Sequence, residues 1–99
     1  MTRIRFIPQA RAEVEAETRY YRREAGSKIS KRFVQSVEQA ARLALEFPGA
    51  GSPGPEGTRR MQLRDFPFAL IYRPEKEEIV VFALAPNARE PGYWSKRLT

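Results

Sequence analysis

The chain of 99 residues has no cysteine and no histidine. That removes disulfides, thiol nucleophiles, imidazole bases and the usual zinc ligands, so any catalysis has to rest on Arg, Lys, Glu, Asp, Tyr or Ser. Long apolar runs are also lacking, which excludes a membrane-spanning helix. The start Met1-Thr2-Arg3-Ile4-Arg5 has none of the apolar core of a secretory signal. Together with the missing cysteines, this leads to the expectation of a cytoplasmic protein that uses no metal and no cofactor. The length fits one domain, residues 1–99, with a core just large enough to fold by itself and no room for a second lobe.

What the chain does have is positive charge. Eighteen Lys+Arg stand against 12 Asp+Glu, a net +6, which predicts attraction to polyanions or to an acidic partner protein. The excess lies mainly outside the predicted helices: Arg3, Arg5, Arg59, Arg60, Arg64, Arg73, Arg89, Lys96 and Arg97 all fall on or beside predicted strands. Solubility alone would also account for such a charge.

Arg3-Ile4-Arg5-Phe6-Ile7 alternates cations with apolar residues, the period of a half-buried strand. Pro8 stops it and suits the first turn of a helix, where its missing N–H is no loss. From Gln9 to about Ala25, the residues Ala10, Val14, Thr18 and Tyr21 form one stripe, with Glu13, Glu17 and Arg23 facing away. Gly26 reads as the C-terminal cap. The Tyr20-Tyr21 pair could stack on bases, but near a helix end it fits better as a staple into the core. Ser27 is placed as the cap of a second helix, whose Ile29, Phe33, Val37, Ala40, Ala41, Ala44 and Leu45 fall at three- and four-residue spacing. So short a joint predicts an antiparallel hairpin, and its apolar face needs something flat to cover it.

Phe47-Pro48 ends the second helix, and residues 49–57 are rich in glycine and proline. This loop lacks the lysine and Ser/Thr ending of a phosphate-binding loop, and its prolines remove the N–H groups such a cradle needs. It reads as a plain connector. From Arg59 the period becomes two, with Met61 and Leu63 pointing one way and Arg60, Gln62 and Arg64 the other. Asp65-Phe66-Pro67 turns the chain into a hairpin partner from Phe68 to Arg73, and Pro74 to Glu78 is an acidic turn. Ile79 to Ala85 is uninterruptedly apolar, as an interior strand covered on both faces would be, and Pro86 breaks it. The order β-α-α-β-β-β predicts an α+β fold, with the helical hairpin on one face of a mainly antiparallel four-stranded sheet. Arg60, Gln62 and Arg64 should emerge on the other face.

The last strand leads into Arg89-Glu90-Pro91-Gly92-Tyr93-Trp94-Ser95-Lys96-Arg97. Pro91-Gly92 forces a turn, so two large aromatics and three cations issue from the end of a buried strand. Taken alone, the run fits Tyr93 and Trp94 closing one end of a small core, with the arginines solvated. Its place on a short tail after Pro86, with few neighbours, leads to a different expectation: a tail that stays mobile until a partner covers it.

The element order, Tyr20-Tyr21, Phe47-Pro48 ahead of a Gly-rich loop, Phe66-Pro67-Phe68 entering Leu70-Ile71-Tyr72-Arg73, and above all Arg89-Glu90-Pro91-Gly92-Tyr93-Trp94 carry a resemblance. Over nearly the whole chain they resemble the RelE/ParE superfamily of bacterial type II toxins, in particular the ParE-like members labelled plasmid stabilisation proteins. The resemblance implies a toxin held inactive by a cognate acidic antitoxin, whose extended or helical tail wraps it in a joint oligomer. A net charge of +6 suits such a partner. One branch of the superfamily cleaves mRNA in the ribosome and the other poisons DNA gyrase, so the shared fold leaves the target open.

In the ribosome-dependent members, cations orient the RNA, help to activate the 2′-hydroxyl and stabilise charge on the phosphate, alongside a tyrosine or histidine near the C-terminus. Matched by position, a lysine on the first meander strand falls on Arg60, which keeps the charge, and a second falls on Gln62, which does not. The arginine of RelE's next strand falls on Ala69, and the arginine after the last strand on Arg89. The C-terminal tyrosine falls near Ser95, where Tyr93 substitutes only if the tail is shortened. For a ribonuclease the resemblance therefore implies Arg60, Arg89 and Tyr93 as catalytic residues, and the two missing cations weigh against that activity. It points instead to an inhibitor of DNA gyrase that is not an enzyme. Its surface for target or antitoxin would be Arg64, Arg73, Arg89, Tyr93, Trp94, Lys96 and Arg97. A third reading is a basic binding domain that has lost toxicity and only engages the antitoxin or its operator complex.

Overall fold

The computed structural model describes residues 3–89 and 92–99. Strand β1 is Arg3–Phe6, helix α1 Pro8–Ala25 and helix α2 Ser27–Glu46, followed by strands β2 Ser52–Pro53, β3 Arg59–Gln62, β4 Phe68–Pro74 and β5 Glu78–Pro86. Spatially the strands run β1-β5-β4-β3-β2, with β1 parallel to β5 and the other pairs antiparallel. The α+β class and the helical hairpin on one face are as expected, and the sheet has five strands rather than four. The additional one is β2, two residues of the Gly/Pro loop paired with Arg59 and Arg60. Among the described residues, no helix is long and apolar enough to cross a membrane.

Gly26 joins the helices at φ +92°, serving as the end of α1 and the start of α2. Only glycine adopts that angle without steric cost. Ser27 is therefore the first residue of α2 rather than its cap, and no side chain caps that end. The stripes of both helices meet the sheet in one core: Ala10, Phe33, Val37, Ala40, Ala41 and Ala44 pack with Leu63, Phe68, Leu70, Tyr72, Ile79, Val81 and Leu84. Burying each large apolar side chain here stabilises the fold by about 1.5–3 kcal/mol. Tyr21 lies 5.1 Å centroid to centroid from both Phe33 and Phe66, whereas Tyr20 stays on the surface. The staple is one tyrosine, not two.

The loop before β3 is more than a connector. The hydroxyl of Tyr72, a fully buried residue, donates to Pro48 O (2.8 Å) and accepts from Gly51 N (3.0 Å), while Arg59 donates to Gly51 O (2.7 Å). A Cβ on Gly51 would stand 2.8 Å from the Tyr72 hydroxyl, so the close approach requires glycine. Arg64 is also placed differently from expectation. Strand β3 ends at Gln62, Leu63 is buried, and Arg64 falls in the following turn, where its carbonyl accepts from Ser36 Oγ of α2 at 2.7 Å. It does not share the open sheet face with Arg60 and Gln62.

That open face is not bare. Ile71, Val80, Phe82, Ala83 and Ala85 form a second core with Trp94 and Leu98 of the C-terminal segment. Strand β5, between β1 and β4, is buried on both sides from Ile79 to Ala85, as its composition predicted.

Candidate functional site at the C-terminal segment

Pro86 ends β5, and Arg89 N donates back to Pro86 O (3.1 Å). Gly92, at φ +95°, opens a series of turns in which Ser95 N donates to Gly92 O and Arg97 N to Trp94 O. Glu90 and Pro91 lie outside the described residues, so the Pro91 half of the predicted turn is not part of this description. Residues 95–98 make a short 3₁₀ turn that sets Trp94 and Leu98 on one side, each less than a tenth exposed. The expectation of a tail with few neighbours is thus overturned. The open face of β4 and β5 is itself apolar, and Trp94 covers it.

Polar contacts hold the segment in place. Strand β1 stops at Phe6, opposite Val81, and Ile7 N donates to Val81 O at 3.0 Å. Beyond that point β5 keeps β4 on one side but has no strand on the other, and buried backbone groups on that side need other partners. Side chains supply them. Glu13 Oε1 accepts from Leu84 N (3.0 Å), Arg97 Nη1 donates to Phe82 O (3.0 Å), and Leu84 O lies 3.2 Å from the Tyr93 hydroxyl. The same Glu13 carboxylate accepts from both ends of the Arg97 guanidinium, at 3.0 and 3.1 Å, and from the Tyr93 hydroxyl at 3.0 Å. A two-toothed arginine–carboxylate pair of this kind is the strong, directional form of the contact. The expectation that Glu13 faces away from the core was wrong, and Glu17 too is only partly exposed, burial raising its carboxyl above the ordinary value. Glu13 sits three residues after Ala10 and beside Val14, so it borders the apolar stripe. That spacing was the available signal.

Burial, together with the charge and hydrogen bond of Glu13, pushes the Tyr93 phenol up to about 12, against the opposing pull of Arg97 and Arg89. Near neutral pH it therefore stays protonated, a donor rather than a base. Its ring is a platform for cations: the Arg89 guanidinium lies 3.8 Å and that of Arg97 5.2 Å from the ring centroid.

Arg60 and Arg89 line one open cleft of about 490 Å³, bounded by Ser52 to Pro55 on one side and by Asn87 and Trp94 on the other, with Ile71 between. Arg60 donates to Asn87 Oδ1 at 2.7 Å. Arg73 donates to Glu75 Oε2 at 2.6 Å, with its guanidinium 4.9 Å from the Phe82 ring. Lys96 is exposed on the 3₁₀ turn, and Arg64 stands apart beside α2. Arg3 and Arg5 both pair with Glu78. The structure thus brings together Arg60, Arg89, Tyr93, Trp94 and Arg97, leaves Arg64 elsewhere, and adds Glu13 and Asn87. Among the described residues, no group of acidic side chains could hold a metal ion.

A family model of the ParE toxin of the type II toxin–antitoxin system parDE matches residues 4–91. The chain belongs to this family and is a toxin of the type II class. Among solved structures, one described as the chromosomal ParDE toxin–antitoxin system from P. aeruginosa is similar in fold. Its TM-score is 0.77, with 22% identity over 87% of this chain and 96% of that one. No curated protein sequence matches. Tyr93, Trp94, Lys96 and Arg97 all lie beyond the matched residues 4–91.

Proposed function

We propose that this toxin acts by inhibiting DNA gyrase, that its C-terminal segment forms the contact surface, and that a cognate acidic antitoxin neutralises it in a joint oligomer in the cytoplasm. It catalyses no reaction in this reading. The observation that carries it is the state of Tyr93. A phenol whose one O–H already donates to Glu13, and whose ionisation burial and that carboxylate further disfavour, makes a poor general base for the 2′-hydroxyl of RNA. The register of the sheet supports the same conclusion, because Ala69 and Gln62 stand opposite each other across β3 and β4, at the positions where the resemblance to ribosome-dependent members would place cations. What the segment offers instead is Arg89 stacked on Tyr93 and an exposed Lys96 on the following 3₁₀ turn, residue types suited to recognition. Arg64 and Arg73 stay within the surface for target or antitoxin, and a net charge of +6 attracts an acidic antitoxin chain.

One observation favours the alternative, a ribosome-dependent endoribonuclease: Arg60 and Arg89 face the same cleft. The purified toxin, assayed for gyrase supercoiling and for cleavage of mRNA on ribosomes, separates the two. Inhibited supercoiling with intact mRNA, and DNA synthesis falling before protein synthesis after induction in cells, is the expected result. Cleaved mRNA, lost on Arg60→Ala, would overturn the proposal.

A further inference from the structure

Glu13 belongs to none of the surfaces assigned so far, yet four hydrogen bonds converge on its carboxylate. One comes from the backbone of β5 and three from the C-terminal segment, through Tyr93 and both arms of Arg97. We propose that Glu13 is a positioning residue, a clamp that locks the C-terminal segment onto the edge of β5 and thereby sets how Arg89 and Lys96 are presented to the target. This rests on the gyrase reading for its functional half only.

Strand β1 leaves β5 at Phe6, and the N–H of Leu84, three residues past the register of Phe6 with Val81, is satisfied by Glu13 of α1. With one oxygen on that N–H, the carboxylate is fixed against the strand. Its second oxygen and remaining lone pairs then face the segment. Arg97 fits there because it bridges Glu13 and Phe82 O, so a single guanidinium reads the carboxylate and the strand together. Tyr93 donates its single O–H to Glu13, with Leu84 O 3.2 Å away. Both segment side chains are thus keyed to one acid, and each lies against a carbonyl of the strand, Phe82 O for Arg97 and Leu84 O for Tyr93. The Tyr93 ring fixed in this way is the platform on which Arg89 rests at 3.8 Å. Side chains of Glu13 and Arg97 are about four-fifths shielded from water, at 23% and 19% exposure, so solvent screens the pair far less than a surface pair.

A clamp that raises the fraction of molecules in the binding-ready arrangement raises apparent affinity by the same factor, without touching the target. Glu13→Gln tests this, since its amide oxygen can still accept from Leu84 N but the charge that engages Arg97 is gone. Two readouts are needed: acrylamide quenching of Trp94, the only tryptophan, and the toxin concentration that halves gyrase supercoiling. We expect quenching to rise markedly while the helical circular dichroism and its unfolding cooperativity are retained. The half-inhibitory concentration should rise by about tenfold, with full inhibition recovered at saturating toxin, as for a competent population reduced to about one tenth. The double variant Glu13→Gln/Arg97→Gln should raise quenching by less than the sum of the two single variants, because the pair is already broken in each. Quenching unchanged in Glu13→Gln overturns the clamp, and so does enhanced quenching with an unchanged half-inhibitory concentration. If the unmodified toxin fails to inhibit gyrase, the gyrase reading fails instead, and the Trp94 measurement still decides whether Glu13 holds the segment.

Discussion

The two faces of the sheet are covered by different means. On one, two helices of 18 and 20 residues lay an apolar stripe over Leu70, Tyr72, Ile79 and Val81. On the other, the segment 92–99 covers Ile71, Val80 and Phe82 with only Trp94 and Leu98 as buried apolar residues. The first cover is extensive and apolar, and it does not depend on any single polar contact. The second is small, and its position is set by one acid on α1. A cover of that kind can carry a function that the first cannot, because its arrangement can change without unfolding the domain.

Substitutions on the two faces should therefore behave differently. The largest effect is expected at Phe33, fully buried beneath the Tyr21, Phe66 and Phe68 rings. Phe33→Ala should cost about 3–5 kcal/mol in urea unfolding, with helical signal lost in the same transition. Trp94→Ala should cost less, about 3 kcal/mol at the lower end of the range for such truncations, and leave the helices folded at low urea. Equal losses for the two would erase the distinction between the faces.

The smallest effect is one of pH. The Tyr93 phenol is raised from its ordinary value of 10 to about 12. A raised phenol favours the protonated fold, so its contribution is fully present below pH 10 and declines as pH climbs towards 12, where the unfolded chain ionises first. Stability measured across that window should fall, and Tyr93→Phe should flatten the fall. An unchanged slope in the variant would remove Tyr93 from the clamp.

The helix-covered face was legible in the sequence because its signals are periodic. The spacing of Phe33, Val37, Ala40 and Ala44, the alternation of β3 and the unbroken Ile79–Ala85 run each report burial directly. Strand β2 was hidden because a two-residue strand holding Pro53 has no period, and it exists because Tyr72 and Arg59 fix the loop beside it. Arg64 was misplaced by extending the alternation of β3 two residues too far, past the point where Gln62 Nε2 and Leu63 N both close on Phe68 O. Glu13 was missed for a different reason. A glutamate at the margin of a helical stripe looks solvated unless the length of β1 is known, and it is the early end of β1 that leaves Leu84 N in need of an acceptor. The signature at 89–94 was visible in the sequence, but the burial of Trp94 depends on an apolar sheet face that only the register of β4 and β5 brings together.

The emission spectrum of Trp94 in the isolated toxin, with no partner present, tests the central structural claim most directly. A segment that closes the second core predicts strongly blue-shifted emission that acrylamide barely quenches. Red-shifted, freely quenched emission would contradict it, and would mean that the face over Ile71 and Phe82 stays open until something else covers it.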